Sequence, residues 1–89
     1  MANLKSSQKR IRSSRRKAEY NQIVRSTART YVQRARRLID EGQLEEAQAV
    51  VRQAVSALDK AAQKGVIHPN NAARRKSRLM QHLNQAMQS

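Results

Sequence analysis

Arginine outnumbers lysine thirteen to six in this 89-residue chain, and only six acids oppose them. A guanidinium presents a planar fork of donors that matches phosphate in two-point contacts. Its spacing here is helical. With Val24 at zero on a wheel advancing about 100° per residue, Arg25, Arg29 and Arg36 form one stripe. That stripe lies beside the apolar face; Ser26 and Arg37 fall on the far side and Arg34 on the opposite flank. Arg74 and Arg78 repeat the four-residue spacing near the other end. A solvated surface normally mixes both signs. Residues 1–37 hold twelve basic residues against Glu19 alone, a net charge of +11. Such a surplus points to a polyanion as the partner.

Other chemistries have little to stand on. No cysteine is present, which removes disulfides, thiolate metal sites and a thiol nucleophile. His68 and His82 stand fourteen residues apart, with no acid after Asp59 to complete a metal set. His68, beside Pro69, reads as a helix-start residue with a nitrogen to offer phosphate. Asp40, Glu41, Glu45 and Glu46 straddle a helix junction without the spacing of a calcium loop. They read as counter-charge at helix ends. No glycine-rich phosphate loop or nucleophile elbow occurs. We expect no enzyme, no metal, no cofactor and no small-molecule substrate.

Membrane binding is the third class considered. No segment approaches the ~20 apolar residues of a spanning helix. The basic start lacks the apolar core of a secretory signal. A surface-lying helix needs a bulky apolar face, and residues 1–22 offer only Leu4, Ile11 and Tyr20. No membrane partner is expected.

The elements that must hold the arginines are helices. Leu, Ile and Val total sixteen residues, and fourteen of them lie in residues 23–83. One part of the chain can therefore form a core and the other cannot. Gly42 and the GVIHPNN stretch at 65–71 are the only breakers, in a background of strong helix formers. The pattern predicts helices over about 7–41, 43–63 and 69–88. In the first, Val24, Ala28, Tyr31, Ala35 and Leu38 recur at three and four residues, widened by Val32 and Ile39. Tyr20 extends that stripe back one turn, and both tyrosines read as core. In the second, Leu44, Ala47, Val51, Ala54, Leu58 and Ala61 alternate in the same way. In the third, Ala72, Leu79, Leu83 and Ala86 form the stripe, with Met80 and Met87 alongside. Gly42 and Gly65 are left-handed stops. Gln43 is a poor cap; Pro69 or Asn70 opens helix three.

Short links make successive helices antiparallel. The expectation is an all-α, antiparallel three-helix bundle in one domain over 1–89, with 20–88 as the bundle. Residues 1–19 form a basic overhang of about 20 Å that buries too little to order alone. No zinc finger, zipper or helix-turn-helix spacing is present. With both tyrosines in the core, no aromatic platform remains for bases. Binding through phosphate, sugar and shape suits folded RNA, with a DNA-compacting nucleoid protein as the alternative.

Three stretches carry a family resemblance. NLKSSQKRIR at 3–12 and RSTART at 25–30 resemble the first helix of the bacterial small-subunit ribosomal protein S-twenty family. GVIHPNNAARRKSRL at 65–79 resembles its most distinctive block, matching at Gly65, Ile67, His68, Asn70, Ala72, Ala73, Arg74, Lys76, Ser77, Arg78 and Leu79. Pro69 departs from it, standing where the family often has Lys. The resemblance covers the whole chain. It implies a three-helix bundle with a long first helix and a structural place in the small subunit. It implies direct binding to small-subunit (16S) ribosomal RNA, at its 5′ domain and long penultimate helix, beside other subunit components. It also implies a role in assembly; the expected location is the ribosome in the cytoplasm, with a plastid ribosome as the alternative.

Charge and resemblance together give the candidate contacts. On the overhang they are Lys5, Lys9, Arg10, Arg12, Arg15, Arg16 and Lys17. Within the packed part of helix one they are Arg25, Ser26, Arg29, Thr30 and Arg36. At the start of helix three they are His68, Asn70, Arg74, Lys76, Ser77 and Arg78.

Overall fold

Two left-handed glycines decide where the chain turns. Gly42 has φ +79° and Gly65 has φ +74°. At the first, the Gly42 amide donates to the Ile39 carbonyl and the Gln43 amide to the Leu38 carbonyl. At the second, Gly65 donates to Ala62 and Val66 to Ala61. This paired pattern satisfies the last carbonyls of a helix and needs a residue that tolerates positive φ. The computed structural model of the chain describes the backbone of residues 2–88 and the side chains of residues 8–88. It contains α1 (Ala2–Asp40), α2 (Leu44–Gln63) and α3 (Pro69–Gln88).

The helix starts differ from one another in their chemistry. Gln43 caps α2 without any side-chain hydrogen bond, as its residue type predicts. Glu45 and Glu46 in the first turn complement the helix dipole instead. At α3 the cap is His68, not Asn70. The Asn70 amide donates to His68 Nδ1 at 3.1 Å, and the Ala72 amide to the His68 carbonyl at 3.1 Å. Pro69 then takes the first helical position, where its missing N–H costs nothing. α1 begins at Ala2, five residues before the expected Ser7.

Cross-helix contacts give the directions. Lys64 at the end of α2 meets Tyr20 of α1, and His82 near the end of α3 meets Asp40 at the end of α1. So α2 runs against α1 and α3 runs with it, which is the up-down-up bundle. One buried cluster unites Ala35 and Ile39 of α1, Ala47, Val51 and Ala54 of α2, and Leu79 and Leu83 of α3. A second, smaller cluster joins Ala28, Leu58 and Ala72. Leu58 and Leu79 are the largest fully buried side chains.

The stripes of α2 and α3 fall inward as their spacing predicts, apart from half-buried Leu44 and Ala86; Met80 and Met87 stay exposed. The α1 stripe needs correction. Its buried line is Ala28, Ala35 and Ile39, while Val24, Tyr31 and Leu38 are half-buried on its flanks. α1 touches both other helices, and its two most buried residues are the small Ala28 and Ala35. Tyr20 is not a core residue: it is 47% exposed. α2 ends at Gln63, so what Tyr20 meets across the seam is the Lys64 ammonium. That ammonium donates to the phenol oxygen and lies 5.0 Å from the ring centroid.

At ~1.5 Å per residue α1 is about 58 Å long and α2 about 30 Å. The difference, about 28 Å, exceeds the 20 Å expected because α1 starts earlier. Residues 8–20 are exposed throughout, and the whole chain extends 68 Å along its longest axis.

Candidate nucleic-acid interface

The arginine stripes of α1 and α3 meet. Because α3 runs parallel to α1 and packs through Ala72 against the same cluster as Ala28, residues 29–36 lie beside residues 74–78. Arg29 and Arg36 of α1 and Arg74, Arg75 and Arg78 of α3 line one cleft of about 360 Å³, together with Val32 and Gln33. No acid lines this cleft, and none of the five guanidiniums has an ion pair among the described residues. Like charges brought together without counter-charge raise the energy of the free chain. A bound anion would relieve that cost, and the guanidinium forks match the geometry of a phosphate.

Four of these arginines are expected from the sequence, Arg29 and Arg36 from the wheel and Arg74 and Arg78 from their four-residue spacing. Arg75 is the addition. Its signal is the three-residue step to Arg78, which puts both on one side of α3. Arg25, one turn before Arg29, is exposed but outside the cleft lining.

The overhang carries a second charged region. Lys9, Arg10, Arg12, Arg15, Arg16 and Lys17 are all exposed, with Lys9, Arg10, Ser13 and Ser14 around one shallow depression. The Lys5 side chain lies outside the described residues. This region and the cleft share one helix but not one site.

Ser26 and Thr30 belong to a third face, where they border an open depression with Glu19 and Gln22. The Thr30 hydroxyl donates to the Ser26 carbonyl at 2.8 Å, so its proton is committed and its oxygen can only accept. At the start of α3, His68 is held by its capping bond, while Asn70 and Ser77 are exposed. Lys76 turns the other way from its arginine neighbours and holds Asp59 of α2 at 2.6 Å. Its charge is thus partly compensated inside the protein.

Among the described residues no three His, Cys, Asp or Glu side chains come together in a way that could hold a metal ion. No helix there is long and apolar enough to cross a membrane.

A helical bundle with an acid-free arginine cleft and a cationic helical arm belongs to the class of small basic proteins that bind polyanions. Comparison with known proteins narrows this. The family model for ribosomal protein S20 matches residues 2–84. The small ribosomal subunit protein bS20 of Coprothermobacter proteolyticus is 51% identical over 88 residues, which is 99% of this chain and all of the relative. Its counterpart in Thermomicrobium roseum is 51% identical over 84 residues, 94% of this chain and 85% of that one. The chain belongs to the ribosomal protein S20 family. Membership makes it a structural protein rather than an enzyme.

Proposed function

We propose that this protein is a structural constituent of the small ribosomal subunit that binds the subunit's ribosomal RNA directly and supports its assembly. The observation that carries the reading is the cleft in which five arginines from two helices converge with no acid. Family membership supplies the target class, and the resemblance of residues 65–79 supplies the finer one. That finer target is the 5′ domain of the 16S RNA together with its long penultimate helix. The ribosome, in the cytoplasm, is then where the protein resides.

The bundle acts as a rigid holder and the overhang as an arm. Docking the cleft on phosphate displaces counterions, and the arm adds contacts along the RNA as it orders. With about 6–10 phosphates engaged, affinity falls roughly 10³–10⁵-fold between about 50 and 200 mM salt, a scale taken from duplex DNA. The deciding experiment is a competition titration. The full chain is measured against a 5′-domain RNA fragment and against duplex DNA at equal salt. Preference for the RNA supports the reading; equal affinity returns the protein to the DNA-compacting alternative.

A further inference from the structure

α2 carries a line of cations that the arginine cleft does not use. Arg52, Ser56, Lys60 and Lys64 are each four residues apart, so they stack along one face of the helix. Across from them α1 presents Ile23, Val24, Thr27 and Tyr31, and the two rows bound a groove of about 500 Å³. That is within the range of small-ligand sites, about 300–1,000 Å³. The groove lies on the α1–α2 seam, whereas the arginine cleft lies on the α1–α3 seam.

Its lining is mixed in an informative way. Ile23 is 64% exposed, the highest value for a large apolar side chain among the described residues. Tyr31 packs partly on the core, and it also lines the groove. Gln53 and Ser56 bring an amide and a hydroxyl. The rim holds three cations and no acid. Arg52 and Lys60 form no ion pair among the described residues.

These features select the occupant. A second copy of this chain would bring another strongly cationic surface against the rim. An apolar peptide would leave the cations without a partner. A nucleotide with its base unpaired brings a flat apolar ring, polar edges and flanking phosphates together. We infer that the groove between α1 and α2 receives one unpaired base of the ribosomal RNA. The base rests on Tyr31 and Ile23, its edge meets Gln53, and Arg52 and Lys60 hold the adjoining phosphates. The inference rests on the reading that the chain binds ribosomal RNA. It goes further in making one part of the interface a reader of a base rather than of backbone.

The test uses the full chain on small-subunit RNA with two substitutions at one exposed helical position. Ser56→Leu fills the groove while removing no charge, and leucine suits a helix. Ser56→Ala leaves the groove open. The leucine variant should lose about tenfold in affinity, in the range of one base-stacking contact. Its salt slope and the melting temperature of its free form should stay at the wild-type values. The alanine variant should bind within about twofold of wild type, because it leaves the groove open and removes no contact assigned to the base. Ultraviolet irradiation of the wild-type complex should attach a nucleotide to the peptide containing Tyr31.

Wild-type affinity for the leucine variant, with adducts only elsewhere, would overturn the inference. So would self-association of the wild type that Ser56→Leu abolishes, since the occupant would then be a second copy. The leucine-to-alanine ratio on one RNA reports on the groove alone. Discrimination between RNA and DNA by the wild type reports on the parent reading.

Discussion

The ammonium of Lys76 on α3 lies 2.6 Å from a carboxylate oxygen of Asp59 on α2. Arg74, Arg75 and Arg78 of the same helix line the cleft with α1 instead. One short basic run is thereby divided between bracing the bundle and facing a ligand. The pair is partly open to solvent, with Asp59 54% exposed, so it stabilises the fold by no more than about 1 kcal/mol. Its effect on binding is clearer. Lys76→Gln should weaken RNA binding less than Arg74→Gln does. Asp59→Asn should strengthen it and steepen the salt dependence by about one phosphate equivalent. Titrations at several salt concentrations measure both, and equal losses for the two cation variants would count against the division.

The arginine cleft predicts opposite effects on folding and binding. Replacing Arg75 by Gln removes one member of an uncompensated cationic group. The free chain should melt at the same temperature or slightly higher. RNA binding should fall by roughly 1.5–3 kcal/mol, the usual worth of a charge-assisted hydrogen bond. A lower melting temperature with unchanged affinity would make Arg75 a structural residue and remove it from the interface.

Leu58 is fully buried between Ala28 and Ala72. Two of its neighbours are already as small as a side chain can be, so the site cannot collapse onto a truncated residue. Leu58→Ala should cost about 2–5 kcal/mol. A small domain has only about 5–15 kcal/mol in all, so melting should drop by tens of degrees or vanish. RNA should restore much of the fold by mass action, because it binds the folded state. Thermal melts with and without RNA give both numbers. An unchanged melt would place Leu58 outside the core.

The outcome at Leu58 bears on what the sequence could disclose. Its stripe on α2 stands out because large and small apolar residues alternate around one line. α1 is harder to read. The pattern there gives equal weight to Val24, Tyr31 and Leu38, the bulkier residues, whereas the most buried positions are Ala28 and Ala35. Alanine adds little to an apolar pattern, yet its small side chain is easily buried whole against a neighbouring helix. Tyr20 continues the spacing of the stripe, and only the length of α2 reveals that no apolar partner stands opposite it. The interface divides similarly. Spacing brings Arg29 and Arg36 onto one face, and Arg74 and Arg78 onto another. Which face of α3 meets α1 depends on tertiary packing, so their convergence is invisible in the chain. The line Arg52–Ser56–Lys60–Lys64 is regular, but a net charge of −2 across residues 38–64 hides it.

Gly42 and Gly65 are needed for their backbone conformation alone. A Cβ added at either meets nothing within 4 Å. Ala substitution at either should therefore cost only the left-handed strain, about 1–2 kcal/mol. Asn, which tolerates that region better, should cost less. Denaturant titration of Gly65→Ala and Gly65→Asn tests this order. Equal losses for the two would point to a packing contact rather than to φ.

The last prediction separates the arm from the bundle. Residues 8–20 are exposed, so nothing buried holds that part of α1 in place. A helix supported by local hydrogen bonds alone is marginal in water. In the free chain, amides from Arg10 to Lys17 should exchange rapidly, and on RNA they should become protected. Ordering the arm costs free energy, and each contact it makes must first offset that cost. Lys9→Ala should therefore weaken binding by under about 1 kcal/mol, the scale of an exposed ion pair. Arg29 starts from a different position. It is held by a packed helix beside four other guanidiniums, so it binds without prior ordering. Arg29→Ala should lose roughly 1.5–3 kcal/mol. Both variants should flatten the salt dependence, because each removes a phosphate contact. Titration of the two against one RNA fragment over a range of salt decides the matter. If Lys9→Ala is the more damaging, the arm is the selective reader and the arginine cleft only anchors it.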